Sequence, residues 1–97
     1  MPTVHRTSLA NDDLVEIALR IAKDNPDAAN AWLDSVDQKC RLLATRPEMG
    51  RLRPELIPEI RSWAVGDYVL FYQAVHEGIV VVRVLHGSRD LPSLFAS

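Results

Sequence analysis

Apolar residues recur at helical spacing through the first half of the chain. Between residues 9 and 24 they follow the i, i+3, i+4 spacing of one helix face, and a second stripe covers residues 26–45. Ser8 is placed to cap the first helix and Asn25 the second, while Pro26 suits a first helical position because its missing N–H would be unpaired there. The pattern predicts a helical hairpin, in which we interpret Trp32 as packing between the two helices.

The second half of the chain changes to the pattern of β-strands. Residues 46–59 contain three prolines and one glycine, which is typical of a loop. Three β-branched and aromatic segments follow, at residues 59–65, 68–75 and 79–86, separated by short turns. The last two are apolar almost throughout, which predicts central strands covered on both faces. With a short first strand before the helices, the order βααβββ predicts an α+β domain: a helical hairpin packed on an antiparallel-rich sheet.

Composition narrows the class of protein. The 97 residues suffice for one domain, and 47% are hydrophobic and 25% charged. The net charge of −2 argues against direct sequence-specific binding of nucleic acid, which a basic surface would favour. A single cysteine, Cys40, leaves no internal disulfide and is expected to pack as a small apolar side chain. No apolar run is long enough to span a bilayer, so we expect a cytoplasmic protein with no membrane contact.

Arg83 interrupts the apolar run of the last predicted strand. A guanidinium cannot lose its charge and is rarely buried without a partner. Strict alternation puts Arg83 on one face with Ile79, Val81 and Leu85. A charge is accommodated more easily on the face away from the helices. We therefore expect Arg83 on the exposed side of the sheet, paired with Glu59 or with a carboxylate of a partner protein.

The segment "HGSRD" after this strand concentrates polar groups. We expect His86 to end the strand by hydrogen bonding to the backbone, and Gly87 to supply a positive φ at the strand exit. Asp90 is placed to pair with Arg89 or to cap the residues that follow. The three histidines are scattered along the chain, so neither a metal site nor a cofactor is predicted.

Three segments in this order resemble the RelE/ParE superfamily of bacterial toxins. These are "PEMGRLRPEL" in the loop, "RSWAVGDYVLFY" across the strand turn, and "VVRVLHGSRD" at the last strand. The resemblance covers almost the whole chain, which we interpret as a single ParE-like toxin domain over residues 1–97. It implies a toxin of a type II toxin–antitoxin module, held inactive by an antitoxin whose C-terminal segment wraps it. Toxins of the ParE-like branch are taken to poison DNA gyrase, and those of the RelE-like branch cut messenger RNA in the ribosomal A site.

The catalytic residues of the RelE-like branch have few counterparts here. That branch uses lysines before the strand turn, an arginine just after the Tyr of the turn, an arginine after the last strand and a nearby tyrosine. The corresponding positions hold Glu59 and Arg61, then Val69, then Arg89, and finally Phe95, whose ring cannot transfer a proton. Only Arg89 matches.

These differences favour an inhibitor that acts by binding and has no catalytic residue. No lysine follows Lys39, so no shift of the alignment restores the missing ones. The expected partners are a ParD-like antitoxin in a hetero-oligomeric complex and DNA gyrase as the target. A RelE-like ribosome-dependent endoribonuclease remains the alternative, and an inert relative without a target is a third. The candidate contact residues are Arg61, Arg83, His86, Arg89, Asp90 and Phe95.

Overall fold

Two helices pack on a five-stranded mixed sheet in the computed structural model, which describes residues 2–88 and Leu91. This confirms the predicted α+β fold. A single 3-10 turn, Pro47–Met49, follows the second helix. No helix in the described part of the chain is long and apolar enough to cross a membrane. The elements are β1 (Thr3–Arg6), α1 (Ser8–Asp24), α2 (Pro26–Thr45), β2 (Arg51–Leu52), β3 (Arg61–Val65), β4 (Tyr68–Val75) and β5 (Gly78–His86).

The two helices begin at side-chain caps. Asn25 caps α2 as predicted, and its side-chain oxygen accepts from the backbone N–H of Ala28 at 3.1 Å. The cap of α1 is Thr7 and not Ser8. The Thr7 hydroxyl accepts from the N–H of Ala10 at 3.0 Å and donates to the carbonyl of Val82 at 2.7 Å. Because this hydroxyl is hydrogen-bonded both to the first turn of α1 and to the backbone of β5, it fixes the start of α1 against the sheet.

The sheet has the strand order β1-β5-β4-β3-β2. The last three strands form the predicted antiparallel meander, and β1 pairs with β5 in parallel. Strand β2 was not predicted, since two residues are too few to show a period of two. The central position of β4 and β5 is confirmed.

A β-bulge in β5 changes which residues face the helices. Phe71 pairs with Arg83 and Tyr72 with Val81, so the intervening Val82 has no opposite residue in β4. Past this point the alternation shifts by one position. Ile79 and Val81 before the bulge and Val84 after it face the helices, and Leu85 packs on the opposite face. The prediction that Leu85 shares a face with Ile79 and Val81 is therefore wrong.

Each face of the central strands carries an apolar core. On the helix side, Leu14 and Leu43 pack with strand residues that include Tyr72 and Val84. Cys40 is buried in this core, which confirms its predicted packing role. The opposite face holds a smaller cluster of Ile60, Phe71, Leu85 and Leu91. The prediction that β4 and β5 are covered on both faces is confirmed.

Candidate functional site

Arg83 is bound to helix α1 by a bidentate ion pair. Its Nε donates to Asp13 Oδ2 at 2.8 Å and its Nη2 to Oδ1 at 3.0 Å. The backbone N–H of Val84 donates to the same Oδ2 at 3.0 Å, and Asp13 is only 9% exposed. The hydrogen bond to Asp13 raises the pKa of Arg83 above its usual value. The expected position on the exposed face, with Glu59 or a partner's carboxylate, is therefore wrong: Arg83 reaches α1 on the helix side of the sheet, where Ile79 and Val81 also pack, and Asp13 supplies the opposite charge.

Arg61 holds the loop that follows α2. Its Nη1 donates to the carbonyl of Gly50 at 2.7 Å and to that of Glu48 at 3.2 Å. The buried Tyr72 hydroxyl holds the same loop, accepting from the N–H of Gly50 at 2.8 Å and donating to the carbonyl of Pro47 at 2.7 Å. A Cβ on Gly50 would lie 2.1 Å from that hydroxyl oxygen, so only glycine fits. The motif "PEMG" is thus explained by packing.

His86 ends β5 through local hydrogen bonds, as predicted. Its Nδ1 accepts from the backbone N–H of Ser88 at 3.1 Å and lies 2.7 Å from the Ser88 hydroxyl. Its ring meets Tyr68 edge to face, with centroids 5.3 Å apart, and Tyr68 meets Trp32 at the same distance. Gly87 does not have the predicted positive φ, which occurs instead at Gly66 in the β3–β4 turn, with φ 62°.

Three of the predicted contact residues, Arg89, Asp90 and Phe95, lie outside the described residues. Of the other three, Arg61 and Arg83 are engaged within the fold at different places. Arg61 lies at the start of β3 and Arg83 on β5 against α1. The structure therefore does not bring Arg61, Arg83 and His86 together into one cluster.

An apolar groove runs along the outer side of the helical hairpin. Val15 and Leu19, one turn apart on α1, are 59% and 64% exposed. We call this surface the hairpin groove; its lining includes Val15, Ala18, Leu19, Ala22, Ala29 and Leu33. The sequence analysis missed it, although Val15 and Leu19 were a signal because they extend the apolar stripe of α1 beyond the width that one core face needs.

Two side chains that could take part in a reaction, Cys40 and Tyr72, are buried in the fold. Burial raises the pKa of the Cys40 thiol to about 11 despite the nearby charge of Arg6, so the nucleophilic thiolate is disfavoured. Burial also raises the pKa of Tyr72, whose hydroxyl already donates to the carbonyl of Pro47 in the loop. No cluster of metal-ligating side chains occurs within residues 2–88 and Leu91. An exposed apolar groove such as the hairpin groove is typical of a protein-recognition surface.

The chain is similar to known proteins both in sequence and in fold. Residues 4–91 match the family model described as "ParE toxin of type II toxin-antitoxin system, parDE". Toxin ParE3 of Caulobacter vibrioides is 28% identical over 92 residues, which are 94% of this chain and 92% of that protein. A solved structure described as "Chromosomal ParDE TA system from P. aeruginosa" shares the fold with a TM-score of 0.72 at 18% identity, covering 89% of this chain and 96% of the other. Because the family model spans nearly the whole βααβββ unit, the chain belongs to the ParE toxin family of type II toxin–antitoxin systems.

Proposed function

We propose that this toxin inhibits DNA gyrase by binding it, catalyses no reaction itself, and is neutralised by a ParD-like antitoxin. Membership of the ParE family supports the choice of gyrase, since ParE-like toxins are taken to poison that enzyme. The similar solved structure is described as part of a ParDE system, which supports a ParD-like partner. The choice of gyrase as the target rests on family membership alone. The proposed contact with the antitoxin also rests on a structural observation, the hairpin groove.

The hairpin groove is the observation that carries the proposed antitoxin contact. Val15 and Leu19 are more than half exposed, although fully burying such a side chain is worth about 1.5–3 kcal/mol. An amphipathic segment laid along α1 and α2 would bury both side chains together with the alanines between them. A wrapping antitoxin is a partner of that kind.

Binding is better supported than RNA cleavage. Cleavage of a phosphodiester bond requires a general base, a general acid and cations that face the developing charge. Arg61 and Arg83 instead direct their guanidinium groups to loop carbonyls and to Asp13. The lysines that the RelE-like ribonucleases use have no counterpart after Lys39.

Expression of the toxin without antitoxin tests this proposal. Growth arrest accompanied by gyrase-cleaved DNA, and reversed when the antitoxin is supplied, is the expected result. Cleaved ribosome-bound messenger RNA would instead support the RelE-like alternative. Normal growth would identify an inert relative that has lost its target.

The segment after β5 is proposed as a further contact with gyrase or antitoxin. His86 presents a half-buried ring at the end of β5, and the sequence continues with Arg89, Asp90 and Phe95. Arg89 can provide a charge-assisted hydrogen bond, but a guanidinium cannot donate its proton to a leaving group near neutral pH. Arg89→Ala should therefore weaken growth arrest only partly, by a loss of about 1–3 kcal/mol in binding. Complete loss of activity at wild-type binding affinity would contradict a contact role.

A further inference from the structure

Two glutamates have a left-handed backbone conformation. Glu59 has φ 64° and Glu77 has φ 61°. Each is the third residue of a four-residue turn: one turn is closed by the N–H of Ile60 on the carbonyl of Ile57 at 3.4 Å, and the other joins β4 to β5. At the third position of a turn with positive φ, glycine or asparagine is preferred because a Cβ meets steric hindrance there. Turn geometry therefore does not explain why either residue is glutamate.

The two carboxylates differ in what surrounds them. The Glu77 carboxylate lies 3.7 Å from Nε2 of the neighbouring His76. The Glu59 carboxylate makes no hydrogen bond or ion pair with any residue in the described part of the chain. It lines a polar groove at the edge of the sheet, which we call the turn groove, formed by Leu52, Glu59, Arg61, Gln73 and Ala74. The Glu59 oxygens are thus free to accept hydrogen bonds from a partner.

The turn groove has the chemistry to hold a long basic side chain. Leu52 is 49% exposed and Ala74 is also exposed, so the groove offers apolar surface beside the Glu59 carboxylate. Arg61 also lines the groove and carries a positive charge, but the carbonyls of Glu48 and Gly50 accept from its Nη1 and it forms no ion pair with Glu59, whose carboxylate stays available to a second cation. Lysine and arginine lay their aliphatic stems on apolar surface and place their charged heads on carboxylates. Such a side chain satisfies both parts of the groove at once.

We propose that the turn groove binds an arginine or lysine side chain of the protein that this toxin inhibits, with Glu59 as its charge partner. The inference rests on the proposed function in so far as the target is a protein. It is assigned to the target because the turn groove shares no lining residue with the hairpin groove, which the antitoxin is proposed to cover. The two partners then have separate surfaces.

Four variants test the proposal, two at each glutamate. Glu59→Gln removes the charge and keeps the size, and Glu59→Gly removes the side chain and relieves the backbone. Glu77→Gln and Glu77→Gly make the same changes at a residue with the same backbone conformation outside the groove. Growth arrest without antitoxin should need about tenfold more toxin for both Glu59 variants, the effect typical of losing a charged hydrogen bond. Both Glu77 variants should match the wild type.

Thermal melts and antitoxin copurification complete the experiment. Each Glu59 variant should melt no lower than the matching Glu77 variant, so that loss of arrest is not loss of fold. Undiminished arrest by Glu59→Gln would overturn the proposal, as would equal losses at Glu59 and Glu77. Weaker antitoxin copurification with normal arrest would assign the groove to the antitoxin and also overturn it.

The readouts separate this inference from the gyrase proposal. If Glu59→Gln reduces an arrest that proceeds without gyrase-cleaved DNA, the groove inference stands and the gyrase proposal fails. If the wild type and Glu59→Gln produce gyrase-cleaved DNA equally, the gyrase proposal stands and the groove inference fails. A wild-type chain that leaves growth unaffected would contradict both.

Discussion

Cys40 couples one side chain to the stability of the fold at high pH. Burial raises its pKa from 9.0 to about 11, so the folded state retains the thiol proton that the unfolded state has lost. The resulting stabilisation is complete below pH 9 and is lost as the pH rises through 9 to about 11, at about 1.4 kcal/mol per pH unit. The free energy of unfolding in urea should therefore fall more steeply for the wild type than for Cys40→Ala in this range. Parallel curves would contradict the burial effect.

At the residue scale, Arg83 shows what the sequence could and could not predict. The need for a carboxylate partner followed from the charge alone and is confirmed. The choice of partner was wrong because the charge was assigned to the face away from the helices, whereas Ile79 and Val81, the predicted neighbours of Arg83 on its face, pack in the helix-side core. Asp13 itself stands at helical spacing between Ala10 and Ile17, within the apolar stripe of α1. An acidic residue in a buried stripe was the signal for a buried ion pair.

At the scale of elements, the Asp13–Arg83 pair joins α1 to β5. Removing one member leaves a largely buried charge, so Arg83→Met should destabilise the fold by about 3 kcal/mol. Asp13→Asn keeps an oxygen for the N–H of Val84 and removes the charge. The double variant Asp13→Asn/Arg83→Met should therefore be more stable than Arg83→Met alone, as measured by chemical unfolding. Additive losses would show that the pair is not coupled.

The hairpin groove gives a second prediction at this scale. Val15→Glu and Leu19→Glu place charges in the groove and should abolish copurification with the antitoxin, while growth arrest persists. Leu9→Glu is the matched control, because Leu9 is 56% exposed on the same helix but does not line the groove. The antitoxin should raise the melting temperature of the wild type and of Leu9→Glu by mass action, but not that of the groove variants. Equal antitoxin binding by all three variants would remove the groove from the interface.

Helices and strands differed in how well the sequence predicted them. The second helix was predicted at its exact limits, because Asn25 and Pro26 mark its start and twenty residues give its apolar stripe several repeats. The first began one residue earlier than expected, since Thr7 and Ser8 are both competent caps and only the carbonyl of Val82 distinguishes them. For β2, the partner strand and not local sequence determines the conformation.

At the scale of the whole molecule, the order of elements and their packing could be predicted and the binding surfaces could not. Short turns require antiparallel neighbours, so the meander followed directly from turn spacing. The hairpin groove and the turn groove depend on residues from separate elements meeting at one place. The occupants that we propose for them belong to other proteins, about which this sequence carries only indirect information.

The parallel pairing of β1 with β5 sets the order in which the molecule can form during its synthesis. Thr3 pairs with Gly78, and β5 also provides the Asp13 partner and the Thr7 acceptor. A growing chain therefore exposes both helices and four strands before the strand that unites them exists. Residues 1–77 alone should show no cooperative thermal transition, and a sharp one would contradict this dependence. We therefore expect the chain to fold only after β5 has been translated, so that its folding follows closely on the end of its synthesis.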